Sequence, residues 1–257
     1  MDDLTFVDWQ PDGAVATVWL DRPPVNATDT ALYEEIREFF GRLPEYLPDA
    51  RAVVLAGRGP HFCAGNDLAE FRTLDPDNAV LRLKTAREAF WAVYDAPVPV
   101  IAAVHGVAVG SGLAIAASCD VVVAAEGARF GTPEVNVGVL GGAKHLSRLV
   151  PQGVVRLMHY TGEPWTAEKL MPFGGIAEVV PADRLLDTAQ GLARSIARHS
   201  PVTLRLAKRG LNAIEYMDLK SGYEFEQGLT RELSGHEDSK EAVNAFLERR
   251  DPVYTGR

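Results

Sequence analysis

Two short segments constrain this chain more than any other feature: Phe62-Cys63-Ala64-Gly65-Asn66-Asp67-Leu68 and Val107-Ala108-Val109-Gly110-Ser111-Gly112-Leu113. Each runs from a hydrophobic, strand-like stretch through small residues and glycine into the start of a helical pattern. Glycine lets a backbone turn sharply and approach a ligand closely. A helix that begins just after such a turn leaves its first N–H groups without intrahelical acceptors. Two such turns aimed at one point form a pair of fixed donors, suited to the negative oxygen that develops on a thioester or other carbonyl. The plainer reading of either segment alone is an ordinary strand-to-helix connection.

The surrounding pattern alternates. Leu4–Trp9 and Val15–Leu20 read as paired strands around the turn Pro11-Asp12-Gly13, and Ala52–Ala56, Val98–Val104 and Val121–Ala125 read as further strands. Leu32, Ile36, Phe39 and Phe40 share one helical face, which predicts a helix from Asp29 to Arg42. Asp77–Tyr94 and the small-residue run Ser111–Ser118 also read as helices. This alternation defines an α/β fold. After Pro181 the character changes, and Ala182–His199, Pro201–Glu215, Met217–Leu233 and Ser239–Arg249 all read as helices. Asp238-x-x-Glu241 has the form of a helix-start capping box, with aspartate in the serine position. The expected division is residues 1–181 as the core and 182–257 as a helical region.

With 257 residues, 47% of them hydrophobic, the chain can bury one sizeable core. A formal charge of −9 argues against a nucleic-acid surface. Arg22, Arg72, Lys84 and Arg87 nonetheless stand near the relevant segments and offer local positive charge to an anionic ligand. No apolar run is long enough to span a bilayer, and Met1-Asp2-Asp3 is acidic rather than signal-like. Cys63 and Cys119, in apolar surroundings without metal spacing, read as buried free thiols. The expectation is a cytoplasmic protein with no membrane insertion. Neither a zinc site nor a Walker loop is present, and Ile115 stands where a dinucleotide motif needs its third glycine. No metal and no separate cofactor are expected.

Between and after the two turns come Ala96-Pro97-Val98-Pro99-Val100-Ile101-Ala102-Ala103-Val104-His105-Gly106, Ser118-Cys119-Asp120-Val121-Val122-Val123, and Ala128-Arg129-Phe130-Gly131-Thr132-Pro133-Glu134. Together with Leu20-Asp21-Arg22-Pro23-Pro24-Val25-Asn26-Ala27, this order and spacing closely resembles the enoyl-CoA hydratase/isomerase family, the crotonase superfamily. The resemblance runs to Phe246-Leu247-Glu248-Arg249-Arg250 and so covers nearly the whole chain. It implies a ββα spiral core, an acyl-CoA substrate with coenzyme A as part of that substrate, and C-terminal helices that cover the site and pack in homotrimers or homohexamers. Self-closure of those helices on their own core is the alternative.

By motif position, the resemblance places the two oxyanion donors on the backbone N–H groups of Asn66 and Ser111. Relatives often carry alanine or another small residue at the first and glycine at the second, but neither departure removes an N–H. The Asn66 side chain reads as a helix cap. The resemblance also implies substrate contacts from Arg22, Val25, Ala27, Ala64, Gly65, Asp67, Leu68 and Gly110. Typical hydratases carry two glutamates. Glu134 matches the second, whereas Ala114 occupies the first position and has no proton to exchange. One carboxylate suits moving a proton between carbons of an enolate better than adding water across a double bond. Lys144 and His145 replace small residues at a glycine-rich helix start, where the helix dipole keeps an imidazole neutral. His145 is thus a candidate for orienting water, or else an ordinary contact histidine. The stretch His145-Leu146-Ser147-Arg148-Leu149-Val150-Pro151-Gln152 looks like superfamily hydrolases that open a cyclic β-keto acyl-CoA, while the ending Arg250-Asp251-Pro252-Val253-Tyr254-x-Gly256-Arg257 resembles carnitinyl-CoA dehydratases. The leading expectation is a hydratase/isomerase-type enzyme using Glu134 as its single acid/base. A ring-opening hydrolase and a non-catalytic acyl-CoA-binding protein are the alternatives.

Overall fold

Every residue of Val15–Leu20 is buried, as are five of the six in Ala52–Gly57 and all of Val100–Val104. Such runs belong in a parallel sheet covered on both faces. The computed structural model describes residues 4–257, and the Met1-Asp2-Asp3 start lies outside them. Its strands are β1 (Val7–Asp12), β2 (Val15–Leu20), β3 (Ala52–Gly57), β4 (Val100–Val104), β5 (Val107–Val109), β6 (Val121–Ala125), β7 (Arg129–Gly131), β8 (Trp165–Thr166) and β9 (Glu178–Val180). A six-stranded sheet has the order β1-β2-β3-β4-β6-β9, antiparallel only at β1–β2, and a small second sheet has the order β5-β7-β8. The first strand sits later than expected, because Asp12 pairs with Val15 and the chain turns at Gly13-Ala14. Pro11 is tolerated inside β1 because β1 is an edge strand.

Strand alternation divides the core. On one face Ala16, Val18, Leu20, Val53 and Leu55 pack in a cluster with Leu32, Ile36, Phe39 and Phe40 of α1 (Thr30–Gly41). A one-turn α2 (Leu43–Tyr46) follows. On the other face Val15, Trp19, Val54 and Ile101 meet a helix introduced below. The chain between β3 and β4 forms α3 (Leu68–Phe71) and α4 (Pro76–Tyr94), the latter started by an Asp75–Asn78 capping box. After β5 comes α5 (Ser111–Ser118), buried at every residue. Then follow α6 (Ala143–Leu146), α7 (Gln152–Thr161) and α8 (Ala167–Leu170).

The C-terminal part comprises α9 (Leu185–Ala197), α10 (Pro201–Ile214), α11 (Leu219–Leu233) and α12 (Glu237–Glu248). Leu185, Ala189, Ala193 and Ala197 of α9 are the residues that cover the second sheet face. The capping-box reading of Asp238 is incorrect. His236 is the N-cap of α12, and the buried Asp238 carboxylate instead accepts from Ser200 Oγ and from the amides of Thr255 and Gly256. It therefore ties the chain end to the start of α10. Within α9, Gly191 has open space where a Cβ would stand. Gly191→Ala is expected to raise stability by about 0.5–1 kcal/mol by removing unfolded-state freedom from a helix interior. Denaturant unfolding measures it.

Candidate active site

The two glycine turns meet. Cys63 forms a parallel bridge with Ala108, with Cys63 N–H donating to Val107 O at 3.1 Å and Val109 N–H to Cys63 O at 3.3 Å. Gly65 and Gly110 adopt φ of 95° and 56°, conformations that side chains resist. A Cβ on Gly110 would stand 3.6 Å from both Gly65 Cα and Glu134 Oε1. Asn66 is bridged to Thr28 through its neighbours: Thr28 N–H donates to Gly65 O and Asp67 N–H to Thr28 O, both at 2.8 Å. In such a bridge the amide of Asn66 itself points to the opposite edge. Ser111 opens α5 directly after Gly110, so its amide has no intrahelical acceptor. Neither amide meets a protein acceptor among the described residues.

Ala64, Gly65, Asn66, Leu68, Gly110 and Glu134 line one cavity of about 210 Å³, closed further by Phe71, Val109, Asn136, Val137 and Val139. Glu134 sits in the 3₁₀ turn Pro133–Val137 and is 9% exposed. Its Oε2 is buried with no hydrogen-bond partner among the described residues, and burial raises its pKa above the ordinary carboxylate value. Among the described residues Glu134 is the only carboxylate lining this cavity. Ala114 is 2% exposed within α5, so its position offers neither a carboxylate nor ready space for one.

The remaining candidates stand outside that cavity. Arg22 forms ion pairs with Asp29 at 2.8 Å and Asp67 at 3.0 Å and donates to Ala27 O. Its charge is thus already matched. Val25 O accepts from the Ala64 amide, which makes its role one of backbone support. Asp67 caps α3 by accepting from Ala69 N–H, so the cap is Asp67 and not Asn66. The Asn66 Oδ1 instead accepts from Tyr33 OH at 2.6 Å. His145 lies edge-on to Phe90 and lines a separate cavity with Lys144, Ser118 and Tyr216. Burial first, then Arg148 and Lys144, pushes its pKa down to about 4. Burial and these two cations therefore favour the neutral imidazole.

Thr28, Tyr33, Phe71 and Asn136 escaped sequence reasoning. Tyr33 directly follows Leu32 on the buried side of α1, where its ring reads as core. Thr28 follows a quoted motif by one residue and carried no signal of its own. Both thiols are buried and unpaired, and burial pushes Cys63 up to about 12, leaving it a protonated thiol. Among the described residues no group of three or more His, Cys, Asp or Glu could hold a metal ion, and no helix is long and apolar enough to cross a membrane.

Two glycine turns and one buried carboxylate thus share a single cavity in an α/β core, and comparison with known proteins supplies the class. The enoyl-CoA hydratase/isomerase family model matches residues 10–257, and the chain belongs to that family. It is 40% identical over 242 residues to the Rhodococcus jostii (7aS)-7a-methyl-1,5-dioxo-2,3,5,6,7,7a-hexahydro-1H-indene-carboxyl-CoA hydrolase, covering 93% of this chain and 92% of that protein. It is 38% identical over 250 residues to the Escherichia coli 2,3-dehydroadipyl-CoA hydratase, covering 95% and 96%. An enoyl-CoA hydratase subunit from Geobacillus kaustophilus superposes with a TM-score of 0.91 at 32% identity, covering both chains completely. The fold is the crotonase fold, with a helical C-terminal region.

Proposed function

We propose that this enzyme acts on an acyl-CoA thioester through an enolate held by the Asn66 and Ser111 amides, with Glu134 as its single acid/base. The observation that carries this is the lone carboxylate in the cavity where the two glycine turns meet, with one oxygen unpartnered. The thioester oxygen accepts from both amides, which stabilises the charge that forms as Glu134 removes a proton from the adjacent carbon. Glu134 then returns that proton to another carbon, so the double bond moves and no atoms are gained. Coenzyme A lies along the Arg22–Ala27 turn and the Ala64–Leu68 segment as part of the substrate.

A second reading, hydrolytic opening of a cyclic β-keto acyl-CoA, is favoured by the name of the Rhodococcus jostii relative and by the apolar side chains of Leu68, Phe71, Val109 and Val139 around the cavity. Glu134 would take a proton from water, and the hydroxide would add to the ring ketone. The ring carbon–carbon bond then breaks, its electron pair passes to the thioester enolate, and the Glu134 proton quenches the carbanion. Both readings use the same three groups. We further propose a cytoplasmic homotrimer or homohexamer in which the exposed Leu219 and Phe246 of the last helices, at 88% and 83%, pack against other copies.

Incubation with crotonyl-CoA, a 3-enoyl-CoA and a cyclic β-keto acyl-CoA, followed by mass and NMR analysis, separates the readings. Crotonyl-CoA is expected to gain water slowly. A shifted double bond at constant mass in the second substrate marks isomerisation, and a new carboxylate with one added water in the third marks ring opening. Rapid hydration of crotonyl-CoA would overturn the single-carboxylate reading.

A further inference from the structure

A backbone N–H needs no particular side chain to act as an oxyanion donor, yet both proposed donor residues carry polar side chains that point into one buried cluster. Ser111 Oγ and Thr28 Oγ1 are 2.6 Å apart, Thr28 Oγ1 donates to Tyr33 OH at 2.9 Å, and Tyr33 OH donates to Asn66 Oδ1 at 2.6 Å. Thr28, Ser111 and Tyr33 are 1%, 4% and 6% exposed. Three hydrogen bonds therefore run from one glycine turn to the other, through residues contributed by neither.

The hydrogens can be assigned without conflict. Ser111 donates to Thr28, Thr28 to Tyr33, and Tyr33 to the amide oxygen of Asn66, so each hydroxyl gives its one hydrogen. Buried polar groups are destabilising unless satisfied, and here they satisfy one another. Thr28 is also fixed by its backbone, through the bridge to Asn66. Tyr33 is held by its edge-on contact with Phe90, ring centroids 5.7 Å apart. The cluster thus rests on α1 and α4, two long helices, and transmits their rigidity to both turns.

We propose that Thr28 and Tyr33 are positioning residues that lock the Asn66 and Ser111 amides into one geometry by bracing their side chains across the two turns. The inference rests on the acyl-CoA reading above. It adds that the gap between the donors is set by this hydroxyl chain, since an oxyanion hole acts only when its donors are preorganised at hydrogen-bond distance.

The test uses butyryl-CoA, isotope-labelled at its thioester carbonyl, which is saturated and so offers no double bond to hydrate. Infrared difference spectra of the bound carbonyl report directly on the two donors. In the wild type the carbonyl band is expected to move to lower frequency on binding. Tyr33→Phe keeps the ring and removes only the hydroxyl; it is expected to broaden the band, lose part of that shift, and lower kcat by about tenfold with KM within about twofold. Thr28→Val is expected to do the same, and if it fails to fold, Tyr33→Phe decides alone. In an Asn66→Ala background Tyr33→Phe is expected to have no further effect, the non-additivity of residues acting as one unit. A shifted wild-type band that stays unmoved in Tyr33→Phe overturns the brace alone, as does a tenfold loss that persists in the Asn66→Ala background. An unshifted wild-type band, or no binding of butyryl-CoA, overturns the acyl-CoA reading and the brace with it.

Discussion

Glu134→Gln is expected to lower turnover by about 10²–10⁴ while acyl-CoA affinity stays within a few-fold, because the amide keeps the shape of the side chain but cannot accept a proton at neutral pH. The same substitution is expected to raise stability at neutral pH. Burial holds the Glu134 pKa above its ordinary value of 4.5, so the folded protein binds this proton more tightly than the unfolded chain. Between the unfolded value and the raised native value the folded state carries more protons, and stability falls as pH rises through that window. Glutamine carries no charge to desolvate and removes the slope. Activity runs the other way: proton abstraction needs the ionised carboxylate, so the rate is expected to rise with pH through the raised native pKa. Rate profiles and denaturant unfolding across the same pH range measure both. Turnover that survives in Glu134→Gln would move the base to another group, and an unchanged stability slope would remove the claim that burial strains this carboxylate.

Such a trade of stability for reactivity is the usual mark of a working acid/base. It also explains why Glu134 was legible as a candidate while its state was not. Gly131-Thr132-Pro133-Glu134 carried the position through resemblance, but the buried, unpartnered Oε2 depends on a cavity assembled from segments distant in sequence, Ala64–Phe71 and Val109-Gly110 among them. Four strands of the main sheet, β2, β3, β4 and β6, were similarly legible as predominantly apolar runs bounded by turn residues, whereas β9 was not read as a strand. The second sheet was not legible as a sheet. Its strands have three, three and two residues, too short for any period to register, and only β5 was marked, as the strand-like start of the Val107 segment. The spiral arrangement came from resemblance alone.

Side chains with distant partners were the least legible. Asp238 fits a local capping pattern, yet its carboxylate serves Ser200 and the chain end, contacts at separations of 38, 17 and 18 residues. Asn66 likewise fitted a cap, but Asp67 performs that task and frees Asn66 Oδ1 for Tyr33. Thr28 and Ser111 stand 83 positions apart, and nothing in either neighbourhood announces the other. His145 was placed near a helix start correctly, but the cavity it lines is shared with Tyr216 of the stretch after α10, a contact no local pattern contains.

Gly112 and Gly191 look alike in sequence, each a glycine inside a helix, and are expected to respond oppositely to alanine. A Cβ on Gly112 would lie 2.2 Å from Cys63 O and 2.9 Å from both Cys63 C and Cys63 Cβ. None of these atoms can rotate away. Cys63 O accepts from Val109 N–H, and Cys63 and Phe62 are fully buried. The methyl group must therefore push α5 away from the Cys63 loop. Overpacking of this kind commonly costs about 1–3 kcal/mol, which a drop in the denaturation midpoint reports. The displacement has a second consequence, because Ser111 adjoins Gly112 and Asn66 lies three residues beyond Cys63. Separating the two segments separates the two proposed donors, and losing one such donor lowers turnover by about 10²–10³. Gly112→Ala is thus expected to lose activity at temperatures where it is still fully folded. A stable Gly112→Ala protein with normal turnover would show that the turns tolerate separation and that the donor geometry does not limit the reaction.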